Sequence, residues 1–146
     1  MRKLVVGLFL LMFVVPLWAE DTAIVGEVKK VKGDAKITHT GQPINAQPGS
    51  KIYTEDILKT GKDSAMSFTL KDSTVLSLGP NSELAVKDFK FVPSDKKLSL
   101  ITKMMKGSAS YISGTIGKLS PESVKFETPD ATIGIRGTKF LVKVNE

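Results

Sequence analysis

The sequence predicts an all-β protein, a single domain of short strands in a meander that is wrapped like a sandwich or like a solenoid. Two observations support this prediction. Beyond residue 20, turn-forming residues recur about every eight to twelve positions, and short runs rich in Val, Ile, Thr, Phe and Leu lie between them. No window in that part of the chain holds a 3.6-residue apolar period over three turns. Sandwich and solenoid both stay open, because turn–strand units of similar size suit either.

The first half of the chain carries the clearest period-two pattern. Met66, Phe68 and Leu70 share one face of a strand, and smaller or polar residues share the other face. Leu76 and Leu78 share a face in the following strand. We expect both sets of side chains to point into the core. The predicted strands of this half span residues 23–31, 36–39, 52–58, 65–70 and 74–78, with an interruption at Glu55-Asp56 and a loop at 41–49.

The second half continues with short strands and polar turns. Phe89 and Phe91 lie at period two in a strand that ends at a polar turn, 93–97. The stretch 113–122 contains glycines and a proline and has the character of a loop. The predicted strands of this half span residues 84–86, 87–92, 98–101, 109–112, 124–126 and 140–144. One domain is therefore expected to cover residues 23–144.

Residues 1–19 are predicted to be a secretory signal peptide. Arg2 and Lys3 form a charged start, residues 4–15 are an apolar run, and Ala19 is the small residue before the cleavage site. A membrane anchor is the alternative, but a spanning helix needs about 20 apolar residues and this run is shorter. We therefore expect an exported protein that begins at Glu20 and has no membrane span after cleavage.

The composition argues against several kinds of site. The chain has no cysteine, so it has neither disulfides nor thiolate metal ligands. Its formal net charge is +6, but the lysines are scattered among apolar residues, as on the solvent-facing side of a sheet. A nucleic-acid-binding protein would show a basic stripe with interleaved aromatic residues. We therefore expect no nucleic-acid partner.

The sequence contains no catalytic constellation. His39 is the only histidine and lies between two threonines before a polar loop, where we expect a surface residue. A Gly-x-Ser-x-Gly nucleophile motif is absent from the sequence. Residues 114–119 fail the spacing of a phosphate-binding loop, and a single histidine without cysteine is a poor basis for a metal site. We therefore expect a protein that is not an enzyme and that needs no cofactor and no metal.

The candidate structural or interaction residues are Arg136, Asp72, Asn81 and Asp56. An arginine in an apolar region, as at Arg136, pairs with a buried carboxylate or with turn carbonyls, or it contacts an acidic ligand. We favour the structural role, with Asp56 and Asp72 as partners, because glycines at 134 and 137 imply close backbone packing. Asp72 and Asn81 are expected to form turns, with ligand binding as the alternative.

Several short motifs follow one another along the chain. They are Gly26 and Gly33, Gly-Ser-Lys-Ile-Tyr-Thr-Glu-Asp at 49–56, Thr-Gly at 60–61, Asp-Ser-Thr at 72–74, Leu-Gly-Pro-Asn-Ser at 78–82, Gly107, and a block from Thr128 to Phe140 that contains Ile-Arg-Gly-Thr. Each motif is weak alone. Together and in this order they resemble the FecR domain, an extracytoplasmic all-β module of bacterial signalling and envelope proteins. The resemblance covers the chain from Gly26 onward.

The resemblance implies a function in the bacterial envelope. A FecR regulator of the iron-citrate type also has a cytoplasmic segment that handles a sigma factor, a transmembrane helix and a C-terminal portion that meets a receptor. We expect none of these here, so the anti-sigma role is not carried over. The expected function is a binding or scaffolding module, periplasmic or secreted, that acts through an envelope protein or a glycan. The alternative is a signal-relay component linked to a membrane regulator.

Overall fold

The computed structural model describes residues 24–136 and 139–145, so the predicted signal peptide lies outside the described residues. Within them, the fold is all-β. The strands are β1 Ile24–Lys32, β2 Ala35–His39, β3 Gln42–Asn45, β4 Lys51–Tyr53, β5 Ile57–Thr60, β6 Ala65–Leu70, β7 Val75–Leu78, β8 Glu83–Val92, β9 Lys97–Ile112, β10 Val124–Glu127, β11 Thr132–Gly134 and β12 Lys139–Val144. A short helix, α1, spans Thr115–Leu119, and single 3₁₀ turns span Pro93–Asp95 and Pro121–Ser123.

All of these strands belong to one curled sheet that is organised around β9. The first part of β9 pairs with β8 and, in parallel, with β10, whereas its last residues pair with β7 and β12. Gly107 lies between the two parts with a φ of +90°, a conformation that favours glycine. A Cβ at this position would lie 2.5 Å from Ser82 Cα, so no larger residue fits.

The sheet consists of two half-sheets that meet at β9. Half-sheet 1 contains β4, β1, β6, β7, the end of β9 and β12, and half-sheet 2 contains β3, β2, β5, β8, the start of β9, β10 and β11. One cluster of buried side chains takes Phe68 and Leu76 from half-sheet 1 and Leu58, Leu84 and Leu100 from half-sheet 2. The two half-sheets therefore enclose a common core.

The core confirms the predicted register of β6 and β7. Phe68 pairs with Leu76 and Met66 pairs with Leu78 across the two strands. Phe68 and Leu76 are both 0% exposed, and Leu70 is also buried. Because the period of a strand is two, alternation in the sequence was enough to assign this face.

The chain passes between the half-sheets several times, and four of these passages lie side by side. They are the β1–β2 turn, the β5–β6 turn, the β7–β8 turn and the bend in β9. We call them the glycine–serine seam, which consists of Gly33, Gly61, Ser64, Gly79, Ser82, Gly107 and Ser108. The Asp34 N–H donates to Ser64 Oγ at 2.8 Å, and the Ser108 N–H donates to Ser82 Oγ at 2.9 Å. Small residues let these backbones approach closely, which explains the spacing of Gly and Ser in the sequence.

The structure corrects several predicted element boundaries. The predicted loop 41–49 contains β3, which pairs with β2 and with no other described strand. Such an outer strand tolerates Pro43. The predicted loop 113–122 contains α1, which has five residues and is too short to show a helical period. The two strand predictions on either side of Gly107 form the single strand β9. β11 was not predicted, because three residues carry too little pattern.

Candidate functional site

A cleft of about 790 Å³ lies beside the β10–β11 hairpin. Its floor and walls come from α1, the following 3₁₀ turn, the hairpin and the segment after β11. The cleft carries three charged side chains, those of Glu122, Lys125 and Arg136. The other lining residues are Gly117, Pro121, Val124, Thr132, Gly134 and Ile135.

Buried neighbours orient the two cations of the cleft. Val124 and Phe126 are 1% and 0% exposed, so Lys125 between them projects to the opposite, solvent-facing side of β10. Ile135 joins the core, and the next residue, Arg136, is exposed. Ile135 therefore anchors the backbone, while the side chain of Arg136 is exposed to solvent.

The expected pairing of Arg136 with Asp56 or Asp72 does not form. Both carboxylates are buried and bonded elsewhere, and Arg136 makes no hydrogen bond or ion pair with a described residue. The glycine argument also fails at Gly134, because a Cβ there would meet nothing within 4 Å. Gly137 lies outside the described residues. The guanidinium of Arg136 thus has no structural role in the described part of the chain.

Asp72 is instead the centre of a buried turn. Its Oδ1 accepts the Thr74 N–H at 3.1 Å, and its Oδ2 accepts the Thr74 hydroxyl at 2.8 Å and the Ile116 N–H at 3.2 Å. The Asp72 carbonyl accepts the Thr115 N–H at 2.8 Å. The side chain is 1% exposed. Asp72 therefore fixes the start of α1 against the β6–β7 turn and has no access to a ligand.

Asp56 forms a compact contact with His39 and Tyr53. Its Oδ1 lies 2.5 Å from His39 Nδ1, and its Oδ2 accepts the Tyr53 N–H at 2.9 Å. The imidazole also packs on the Tyr53 ring, with 4.7 Å between ring centroids. His39 is half-buried and is not the simple surface residue that the sequence predicts. His39 and Asp56 are separated by 17 positions along the chain, so no local sequence pattern predicts their contact.

Asn81 lies in the β7–β8 turn, next to Ser82 of the glycine–serine seam. Its φ of +49° is in the left-handed region, which asparagine tolerates better than most residues. The Asn81 N–H donates to the Gly61 carbonyl at 3.0 Å, and the side chain is exposed. The Thr60 hydroxyl donates to the Gly79 carbonyl at 2.5 Å and so ties the two turns together. The backbone of Asn81 is therefore structural.

An aromatic cluster closes the core beside the Asp72 turn. The Tyr111 ring stacks on Phe140 with centroids 4.8 Å apart and meets Phe126 edge-on. The Tyr111 hydroxyl is buried and makes no hydrogen bond with a described residue. Burial raises the pKa of this phenol and the charge of Asp72 adds to the shift, whereas the nearby Thr74 hydroxyl opposes it.

The electrostatics of the cleft favour an anion. The Glu122 backbone N–H and then the Ser120 hydroxyl lower the pKa of the Glu122 carboxyl, so it is ionised at neutral pH and already hydrogen-bonded. Lys125 and Arg136 are both exposed, and neither forms an ion pair with a described residue. An arginine in this state offers a planar fork of donors that suits a carboxylate or a phosphate.

Other kinds of site find no support in the described residues. No three His, Asp or Glu side chains in residues 24–136 and 139–145 lie close enough together to hold a metal ion. No helix in the same part of the chain is long and apolar enough to cross a membrane.

Comparison with known families identifies the chain. The family model described as FecR protein matches residues 56–146. The chain belongs to the FecR family. FecR membership associates the chain with the cell envelope and with signalling or regulation. No curated protein and no solved structure gave a significant match.

The FecR match confirms the resemblance from Asp56 onward, whereas the motif glycines at 26, 33 and 49 precede the matched range. Most motif residues build the fold. The Thr60 hydroxyl bonds to Gly79 of the glycine–serine seam, and Asp72 holds α1. Among the charged FecR motif residues, Asp56 and Asp72 are buried and Arg136 is exposed. The side chain of Arg136 is therefore accessible to solvent, unlike those of Asp56 and Asp72.

Proposed function

We propose that this chain is a non-enzymatic binding or scaffolding module of the bacterial envelope, acting through a protein or glycan partner. In this proposal residues 1–19 direct export and the mature domain works in the periplasm or outside the cell. A carboxylate of the partner, from an acidic side chain or an acidic sugar, binds in the cleft at Arg136.

The observation that carries the proposal is the exposure of Arg136. A guanidinium that stabilised the fold would be bonded to carbonyls or to a carboxylate, as the buried Asp72 is bonded to its neighbours. Arg136 has no such partner among the described residues, and Lys125 adds a second cation to the same cleft. Two exposed cations in a concave site attract an anionic group and fix its position.

Partner capture from envelope extract tests the cleft. The parent protein should retain a partner that Arg136→Ala loses, and Arg136→Lys should retain only part of it, because a point charge does not reproduce the planar fork. Lys90→Ala is the matched control, since Lys90 is also an exposed cation but lies on β8, outside the cleft. Equal capture by the parent and Arg136→Ala would rule out the cleft as the binding site.

Export is tested separately from binding. Mass spectrometry of protein from a bacterial envelope fraction should show an N-terminus at Glu20. An intact Met1 form that stays in the membrane pellet would mean that residues 1–19 are an anchor.

The FecR family membership favours a second candidate, a signal-relay component linked to a membrane regulator. The two functions differ in the identity of the captured partner. A membrane regulator recovered through Arg136 would support relay, whereas a wall glycan or an adhesin would support scaffolding.

A further inference from the structure

The outer strands of the sheet differ in how well they can accept another strand. β3 has four residues and contains Pro43, and β4 and β11 have three residues each. Such short or proline-containing strands are poor templates for pairing. β12 has six residues, contains no proline and pairs only with β9 among the described strands. Its second edge therefore presents a row of backbone donors and acceptors that no described strand uses.

The side chains of β12 divide between the core and the solvent. Phe140, Val142 and Val144 pack against the core. Lys139, Leu141 and Lys143 lie on the outer face, and Leu141 is 77% exposed. The outer face of β12 thus reads cation, apolar residue, cation.

We propose that the free edge of β12 binds an extended segment of a partner protein whose outward side chains alternate acidic, apolar, acidic. The added strand places its two acids beside Lys139 and Lys143 and covers Leu141 with its apolar residue. Backbone hydrogen bonds supply the attachment and the cross-strand pairs supply the selectivity, as in other cases of strand addition. The inference deepens the proposed function, on which it rests, and names the partner's chemistry at a surface separate from the Arg136 cleft.

Charge disfavours a second copy of this chain as the occupant. If two β12 strands paired antiparallel about Leu141, each Lys139 would stand opposite a Lys143 of the other copy. Like charges directly opposite one another destabilise a sheet. Lysines on a free edge discourage self-association for the same reason, but they favour an acidic strand.

Amide shifts of the ¹⁵N-labelled protein during titration with synthetic peptides test the proposal. The probe is the peptide Thr-Glu-Thr-Val-Thr-Glu-Thr, and the control replaces both Glu with Lys. We expect the acidic peptide to shift the signals of β12 and the end of β9 and to bind about tenfold more tightly than the basic one, since two charge pairs change together. The Lys139→Glu/Lys143→Glu variant should reverse this preference.

Two N-methylated versions of the acidic peptide separate strand pairing from simple charge attraction. Successive N–H groups of a strand point to opposite edges, so only alternate N–H groups of the peptide can bond to β12. Methylation of the N–H groups that face β12 should abolish binding, whereas methylation of those that face away should not. Equal binding of both versions, or no shift at β12 up to millimolar peptide, would overturn the proposal. Shifts at β12 that depend on protein concentration alone would show that a second copy fills the edge.

The Arg136→Ala variant distinguishes the failure of strand binding at β12 from the failure of partner binding in the Arg136 cleft. The variant leaves β12 intact and should bind the acidic peptide as the parent does. Loss of peptide binding in this variant would place the peptide in the Arg136 cleft and would also overturn the edge proposal.

Discussion

Asp72 and Arg136 are both charged residues in motifs that resemble the FecR pattern, yet the fold buries one and exposes the other. Asp72 has a short side chain, and suitable donors lie two residues away in the same turn. Arg136 has a long side chain whose donors need acceptors, and no described residue supplies them. Hydrogen-bond partners close by in the fold thus distinguish the structural residue, and the lack of such partners distinguishes the candidate for binding.

The largest effect is expected from Asp72→Ala. Loss of the carboxylate leaves the Thr74 and Ile116 N–H groups buried without an acceptor. The free energy of unfolding should fall by about 2–6 kcal/mol, at about 1–3 kcal/mol for each unpaired group. Urea melts measure the change, and Asp72→Asn, which keeps one acceptor oxygen, should lose less. An unchanged midpoint for Asp72→Ala would contradict the structural role of this turn.

Gly114, which lies against the Asp72 turn, and Gly134, which lines the cleft at Arg136, offer a matched pair of substitutions to alanine. A Cβ at Gly114 would lie 2.4 Å from both the Asp72 carbonyl oxygen and the Thr74 nitrogen, whereas one at Gly134 meets nothing within 4 Å. Gly114→Ala should cost about 1–3 kcal/mol through overpacking. Gly134→Ala should be close to neutral in the same thermal melts. Equal losses in the two variants would show that the Asp72 turn is not tightly packed.

Tyr111→Phe measures the environment of the Asp72 turn at alkaline pH. The pKa of Tyr111 is raised in the fold, so the phenol stays neutral while the unfolded chain ionises above about pH 10. This contribution to stability is complete below that pH and is lost as the pH rises. The stability of Tyr111→Phe should decline less steeply at alkaline pH than that of the parent. At neutral pH it should lie within about 1 kcal/mol of the parent, because the buried hydroxyl has no partner among the described residues. Parallel declines would place the Tyr111 hydroxyl in water.

The smallest effect on stability is expected from Arg136→Ala. An exposed side chain without a partner among described residues should change the free energy of unfolding by no more than about 0.5 kcal/mol. The variant should fold as the parent does while it loses partner capture. A loss comparable to that of Asp72→Ala would restore the structural role that the sequence suggests for Arg136.

The sequence predicts the local part of the fold and misses what depends on distant contacts. The register of Phe68 against Leu76 follows from strict alternation, which is a property of neighbouring residues. The pairing of His39 with Asp56 depends on how β2 meets the β4–β5 turn, and no spacing encodes it. The sequence does not predict the continuity of β9 through Gly107, because a lone glycine within a strand pattern also suggests that the strand is interrupted by a bulge.

The candidate site was predicted in part. Arg136 is conspicuous in the sequence because it is a cation in an apolar region. Its exposure depends on β11, which the sequence does not reveal, and on Ile135 as the neighbouring core anchor. Lys125 was missed altogether, although alternation with Val124 and Phe126 places it on the solvent side of β10. Alternation of this kind is the pattern in the sequence that predicts an exposed cation on a strand.

The continuity of β9 makes the two half-sheets a single cooperative unit. Neither can open without breaking hydrogen bonds along a strand that also holds the other. Unfolding should therefore proceed in one step, without a stable half-open form. A partner that binds only the folded edge at β12 would stabilise the whole domain by mass action, including β8 on the other half-sheet. Binding at the β12 edge thus changes the stability of β8 on the other half-sheet, because the single strand β9 belongs to both.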